Sequence, residues 1–367
     1  MTVVIKLGSS IVAADDGELR TDVLDSVCAQ VSKLEQAGER VVMVTSGAIA
    51  RGMRLMGLTR RPKAMDELQA ASAIGQGDLF RAYESRLAQH GTRAAQVLLT
   101  RADITRRSNY VNARRTLQRL VHWDVVPVLN ENDTTATDEI SFGDNDFLAA
   151  QVAVLLQARL LVLLTNTDGL YSRDPRLGED AEVIREVLDP RELSGVEIGS
   201  KPSQFGSGGM GSKVAAAEMA SQSKVAVIIC NGTKHGTLLG AVHESGIGTY
   251  FAPAKGKRKR SSAFKLWMKY ANDPAGEIWV DRGAADKLRS SGSSLLAVGV
   301  VDVKGAFEPG DVVAVVDAEH EQLVGKGMTQ YAEFDLREVM GLKSAEIRDR
   351  LSYAPDEVIH RDRFVLI

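Results

Sequence analysis

The stretch "LLVLLTNTDGLYSRDP", Leu160 to Pro175, decides the fold. Its first six residues, Leu160–Thr165, form a continuous apolar run of strand length, so a strand here is covered on both faces. The sequence then switches to Asn, Thr, Asp and Gly, which are turn residues. The same pattern recurs outward from this point. Val3–Leu7, Val41–Thr45, Ala95–Thr100, Val125–Leu129 and Val225–Cys230 read as further strands. Helical periodicity fills the intervals at Asp22–Gln36, Glu67–His90, Asn109–Trp123, Asp146–Gln157 and Lys213–Gln222. Buried strands alternating with helices predict an α/β fold, a doubly wound, mainly parallel sheet sandwiched by helices, over residues 1–252.

Near Tyr250 the character changes. Residues 253–274 read as a linker, with five basic residues among the six from Lys255 to Arg260. Such a run reads first as a solvated connection and second as a patch for nucleic acid or an acidic partner. Residues 275–367 then read as a small β-rich domain, with strands at Glu277–Val280, Leu296–Val303, Val312–Val316 and Gly325–Thr329.

With 367 residues, 44% hydrophobic and 25% charged, the chain has material for two globular domains. A net charge of −3 gives no overall reason to expect nucleic-acid binding. Cys28 and Cys230 lie in apolar segments without a C-x-x-C pair, which points to a reducing, cytoplasmic setting. The apolar run in "MTVVIKLGSS" is too short for a leader or a membrane span.

In an open parallel sheet, ligands bind beyond the carboxyl ends of the strands. Four of those ends carry polar segments: "KLGSS" from Lys6, "TSGAIA" from Thr45, "NENDTTATDEISFGDND" from Asn130, and "TNTDGLYSRDP" from Thr165. Together they line one cleft. A fifth segment, "QFGSGGMGSK" from Gln204 to Lys213, fits two phosphate motifs imperfectly. Gly206, Gly208 and Gly211 match G-x-G-x-x-G, but no strand feeds the loop. The P-loop spacing fails because Ser212 precedes Lys213. What remains is a glycine loop entering a helix, whose first N–H groups form an anion site. Lys213 lies in that first turn, where a cation opposes the macrodipole, and a bound phosphate removes the conflict. An exposed lysine reaching into water is the plainer reading.

Lys6, at the end of a buried strand, has the same two readings: an edge residue in water, or a buried cation needing an anion. Gly8 and Ser9 after it let backbone approach an oligophosphate. Asp144 and Asp146 either cap the helix that begins there, or one of them holds Mg2+ or orients lysines while Asn145 binds substrate. The six histidines are scattered, against zinc and against a Ser–His–Asp hydrolase.

These motifs, with "LLTRADI", "NARRTL" and "PVLNENDT", resemble the amino-acid kinase family over essentially the whole chain. The tail, through "AGEIWVDRGA", "GSSLLAVGV" and "GDVVAV", resembles a PUA domain. The resemblance implies ATP- and Mg2+-dependent phosphorylation of the γ-carboxylate of L-glutamate, the first step of proline biosynthesis. Acetylglutamate and aspartate are the acceptors of other members. It implies catalytic roles for Lys6 and Lys213 on the transferred phosphoryl group, with Asp146 organising them. It implies glutamate binding by Ser46, Asp133 and Asn145. ATP would lie on Lys6, Gly8, Thr165, Asn166, Ser207, Gly208, Gly209, Met210, Gly211, Ser212 and Lys213, and the metal ligands stay open. It further implies a homo-oligomer, proline as a feedback inhibitor overlapping the glutamate site, and RNA as an alternative partner of the PUA domain. One position departs: Asn166 stands where the family has Asp, keeping the hydrogen-bonding side chain without its charge. "KLGSS" for the commoner "KLGTS" keeps the hydroxyl.

Overall fold

The computed structural model describes residues 1–14, 16–100, 103, 107–135, 145–173, 181–189, 193, 209–254, 268, 274–343, 346–347, 350 and 355–367. The linker expected at 253–274 lies almost entirely outside them. The chain divides into two compact units, Met1–Arg260 and Ser261–Ile367, each with its own hydrophobic core.

The first unit runs β1 (Thr2–Leu7), α1 (Thr21–Gln36), β2 (Arg40–Val44), α2 (Ala48–Leu55), α3 (Met65–Gln89), β3 (Arg93–Leu99), α4 (Arg107–His122), β4 (Val125–Glu131), α5 (Asn145–Leu156), β5 (Leu160–Thr165), β6 (Glu186–Val187), α6 (Met210–Gln222), β7 (Ala226–Asn231), α7 (Thr237–His243) and β8 (Thr249–Phe251). Its eight-stranded sheet has the order β3-β4-β2-β1-β5-β7-β8-β6. Pairing is parallel from β3 through β7, and only the β7–β8 pair is antiparallel. β5, the stretch that opened the sequence reading, is buried at every residue, as a strand covered on both faces must be. β6 and β8 are two and three residues long, too short for a periodic signal in the sequence.

Parallel pairing puts the carboxyl ends of β1, β2, β4, β5 and β7 on one edge. Lys6 pairs with Val44 on one side and Leu163 on the other. Thr165 pairs with Asn231. "TSGAIA" is tighter than a loop: after Gly47, with φ of 105°, helix α2 begins at once. A positive φ suits glycine at that junction. α2 and α3 then cross backbone to backbone. A Cβ on Gly52 would lie 1.8 Å from the Ala71 carbonyl oxygen, and one on Gly75 would lie 2.0 Å from that of Ala48.

The second unit holds β9 (Gly276–Val280), α8 (Arg282–Ser291), β10 (Val300–Gly305), β11 (Val312–Asp317), β12 (Gln322–Met328), α9 (Glu333–Val339) and β13 (Phe364–Leu366). The sheet order is β10-β9-β11-β12-β13. Asp281 caps α8, accepting from the Ala284 N–H at 2.7 Å, and Gly292 closes it with φ of 57°. The strand expected at Leu296–Val303 starts late. Ala297–Gly299 form a 3-10 turn whose Gly299 carbonyl accepts from the Asp281 N–H at 3.0 Å, so extended pairing begins at Val300. Among the described residues, no helix is long and apolar enough to cross a membrane.

Candidate active site

α5 and α6 pack against each other and are rich in small residues, including Ala149, Ala150, Ala153, Ala216, Ala217 and Ala220, all fully buried. Small side chains let the two helices pack closely. Their first turns therefore meet at the carboxyl edge of the sheet, beside the end of β1.

The first turn of α5 delivers Asp146, which is fully buried. Lys6, only 3% exposed, places Nζ 2.7 Å from Asp146 Oδ1. Lys213, 6% exposed, places Nζ 3.1 Å from Oδ2. The Ser212 hydroxyl donates to the same Oδ2 at 2.8 Å. Burial alone would raise the Asp146 carboxyl, but the Lys213 and Lys6 charges, with hydrogen bonds from Lys6 and Ser212, hold it well below the usual carboxylate range. The plainer sequence readings therefore fail. Neither lysine is an edge residue in water, and Asp146 is clamped by lysines. Among the described residues, two buried cations meet at this carboxylate, and an anion such as a phosphate fits beside them. A Cβ on Gly8 would sit 3.8 Å from Lys6 Nζ, so the ammonium lies against the backbone of its own loop.

A second group forms where β4 ends. Asn145, buried at the start of α5, accepts from the Glu131 N–H at 3.2 Å through its amide oxygen. Asp133 accepts from the Ser72 hydroxyl of α3 at 2.5 Å. Burial pushes the Asp133 carboxyl above its ordinary value, against the Ser72 hydrogen bond and the Arg61 charge, which draw it down. From the same helix, Gln76 accepts from Asn130 at 2.6 Å, and Tyr83 bonds Thr45 at 2.7 Å. One face of α3 thus holds the ends of β2 and β4. Ser46 is buried beside Thr45.

On the far side, Thr165 is buried and Asn166 is exposed. Asp168 takes Lys234 at 2.6 Å and Asn231 at 2.9 Å, and those two hydrogen bonds hold its carboxyl below its ordinary value. Gly209, Met210 and Gly211 lead into α6, whereas Ser207, Gly208 and Asp144 lie outside the described residues. Burial pushes the Cys28 and Cys230 thiols up to about 12, so neither is a thiolate nucleophile near neutrality.

Sequence reasoning missed Ser72, Arg61 and Gln76, which lie on a helix and its preceding loop with no motif to mark them. It also passed over Asn231. The strand-end rule, applied to the strand Val225–Cys230, would have found that residue.

The amino acid kinase family profile matches residues 1–231, and the PUA domain profile matches residues 276–351. The chain belongs to the amino acid kinase family. It carries that family's mainly parallel α/β sheet and a small β-rich PUA domain. A glutamate 5-kinase of Burkholderia mallei (strain SAVP1) is 42% identical over 99% of this chain and 97% of its own length. A glutamate 5-kinase of Burkholderia thailandensis is also 42% identical, over 99% of this chain and 97% of its own. The crystal structure of a T. acidophilum isopentenyl phosphate kinase product complex is similar over 68% of this chain and 100% of that one, at 19% identity and a TM-score of 0.48.

Proposed function

We propose that this amino acid kinase transfers the γ-phosphoryl group of ATP to the γ-carboxylate of L-glutamate, giving L-glutamyl 5-phosphate and ADP, the first step of proline biosynthesis. The observation that carries the reading is the buried Lys6–Asp146–Lys213 cluster, in a chain 42% identical along 99% of its length to glutamate 5-kinases.

The chemistry asks for little proton transfer. A glutamate side chain has an ordinary pKa of about 4.3, so the nucleophile is already ionised at neutral pH and needs no general base. A carboxylate oxygen attacks the γ-phosphorus, the bond to the bridging oxygen breaks, and ADP leaves with that electron pair. The barrier is the approach of one anion to another, which positioning and fixed positive charge lower. Lys6 and Lys213 touch the transferred phosphoryl group. Asp146 acts through them by setting their separation. Ser46, Asp133 and Asn145 bind glutamate, with Asp133 opposite its α-ammonium. Gly8, Thr165, Asn166 and the glycine loop from Ser207 to Gly211, with Lys213, hold the nucleotide.

Among the described residues no group of three His, Cys, Asp or Glu could cage a metal, and both oxygens of Asp146 face lysines. That donor set suits Mg2+ carried on the phosphate oxygens of ATP, where it neutralises charge. The setting is the cytoplasm, which keeps Cys28 and Cys230 reduced. Proline shares the α-carboxylate and an α-nitrogen with glutamate, so it competes for the Asp133 pocket as a feedback inhibitor.

The test is coupled ADP release with ATP and Mg2+, offered glutamate, acetylglutamate or aspartate, with and without proline. Glutamate is expected to dominate and proline to inhibit. Faster turnover of either rival acceptor would overturn the assignment.

A further inference from the structure

Asp146 Oδ2 is shared by two donors of different character. Lys213 reaches it at 3.1 Å on a four-carbon stem, whereas the Ser212 hydroxyl, on one carbon, donates at 2.8 Å. Ser212 is 1% exposed and belongs to the first turn of α6. Its oxygen also lies 3.0 Å from the carbonyl of Gly209, where the glycine loop ends. A hydroxyl has one proton, so it serves either the carboxylate or the loop. In the reaction proposed above, Lys213 adds a hydrogen bond to the phosphoryl group, and any shift of its ammonium toward that group lengthens its contact with Asp146. A buried carboxylate oxygen that loses a donor is costly. It would follow the lysine or rotate, and Lys6 would move with it.

We infer that Ser212 is a positioning residue: its hydroxyl holds Asp146 in place while Lys213 engages the transferred phosphoryl group, and it does not serve as a nucleotide ligand. The inference rests on the phosphoryl-transfer reading of this site. Among the described residues, the groups that face Asp146 include Lys6 from β1 and Lys213 and Ser212 from α6. Of these three, Ser212 has the shortest side chain and so the least freedom to leave the carboxylate.

Ser212→Ala is expected to lower kcat roughly 10- to 100-fold, the size of one hydrogen bond to an ionised group. The KM for ATP should stay within about twofold, because the lost contact is not to substrate. Ser212→Thr, which keeps the hydroxyl, should return kcat toward the wild-type value. A urea-unfolding cycle supplies a readout that needs no substrate. The loss caused by Ser212→Ala should vanish in an Asp146→Ala background, or shrink in Asp146→Asn, whose neutral amide oxygen still accepts, if the alanine variant does not fold. A raised KM for ATP at unchanged kcat would make Ser212 a nucleotide ligand and overturn the inference. Additive losses in the cycle would overturn it too. A wild-type protein without glutamate-dependent ADP release would instead count against the proposed function, and the cycle would still decide the role of Ser212.

Discussion

Asp146 has ammonium groups at 2.7 and 3.1 Å, whereas Asp133 has a hydroxyl at 2.5 Å and the charge of Arg61. Both acids sit at the carboxyl edge of one sheet, and both are desolvated. Yet one is held below the ordinary carboxylate range and the other is pushed above it. Burial raises both, although Asp146 is fully buried and Asp133 half-buried, and the partners decide the sign. In the proposed reaction the phosphoryl side, with Lys6 and Lys213, carries positive charge before any ligand arrives. The proposed acceptor side has a raised carboxyl at Asp133, and an amino acid would bring positive charge to it through its own ammonium. In the proposed reaction each substrate therefore completes the electrostatics of the half it enters.

The comparison breaks first at the lysines. Lys6→Ala and Lys213→Ala should each lower kcat about 10²–10³-fold, the usual loss when a charge-stabilising donor is removed. Circular dichroism should show an intact fold, and a folded variant with wild-type kcat would remove that lysine from the chemistry. The acceptor half should answer differently. Asp133→Ala and Asn145→Ala should raise the KM for glutamate about 10-fold or more, as expected for a lost hydrogen bond to a charged group. The KM for ATP should hardly move, and an effect confined to ATP would exchange the two subsites.

A subtler contrast lies in stability against pH. A carboxyl depressed in the folded state stabilises the fold above its unfolded value, and that contribution is lost as pH falls through the folded value. Asp146→Asn should therefore destabilise the protein at neutral pH, with the deficit shrinking only in strong acid. Asp133 is raised, so its ionisation opposes folding, and the fold regains stability as pH falls toward the ordinary carboxylate range. Asp133→Asn should be neutral or stabilising at pH 7, with the gain fading in acid. Urea unfolding from pH 4 to pH 8 measures both, and a shared sign would undo the contrast. The smallest change is expected from shortening the chain. A fragment ending at Lys255 should fold and keep its glutamate-dependent turnover, because every proposed catalytic residue lies between Lys6 and Lys213. An unfolded or inactive fragment would tie the PUA unit to the kinase unit.

The sheet was legible because its central strands are apolar on both faces and end abruptly in polar turns. Lys6 and Lys213 could be singled out as cations in places where a cation is awkward. That Asp146 joins them came from the family resemblance and not from the local pattern, since the contact links three segments far apart in the chain. Ser72 and Arg61 gave no local signal, because their effect appears only where α3 and its preceding loop approach Asp133. β8 went unseen because three residues carry no usable period.

The crossing of α2 and α3 bears on how this enzyme can diverge. With the Cβ positions of Gly52 and Gly75 already occupied by the neighbouring backbone, even a methyl group at either would force the helices apart. α2 starts beside Ser46, and α3 carries Ser72, so the two helices form one frame around the proposed glutamate site. A lineage can exchange the side chains inside that frame and drift toward other acceptors. It cannot widen the frame by small steps, and a library aimed at larger acids will fare better at the loop ends than at this crossing.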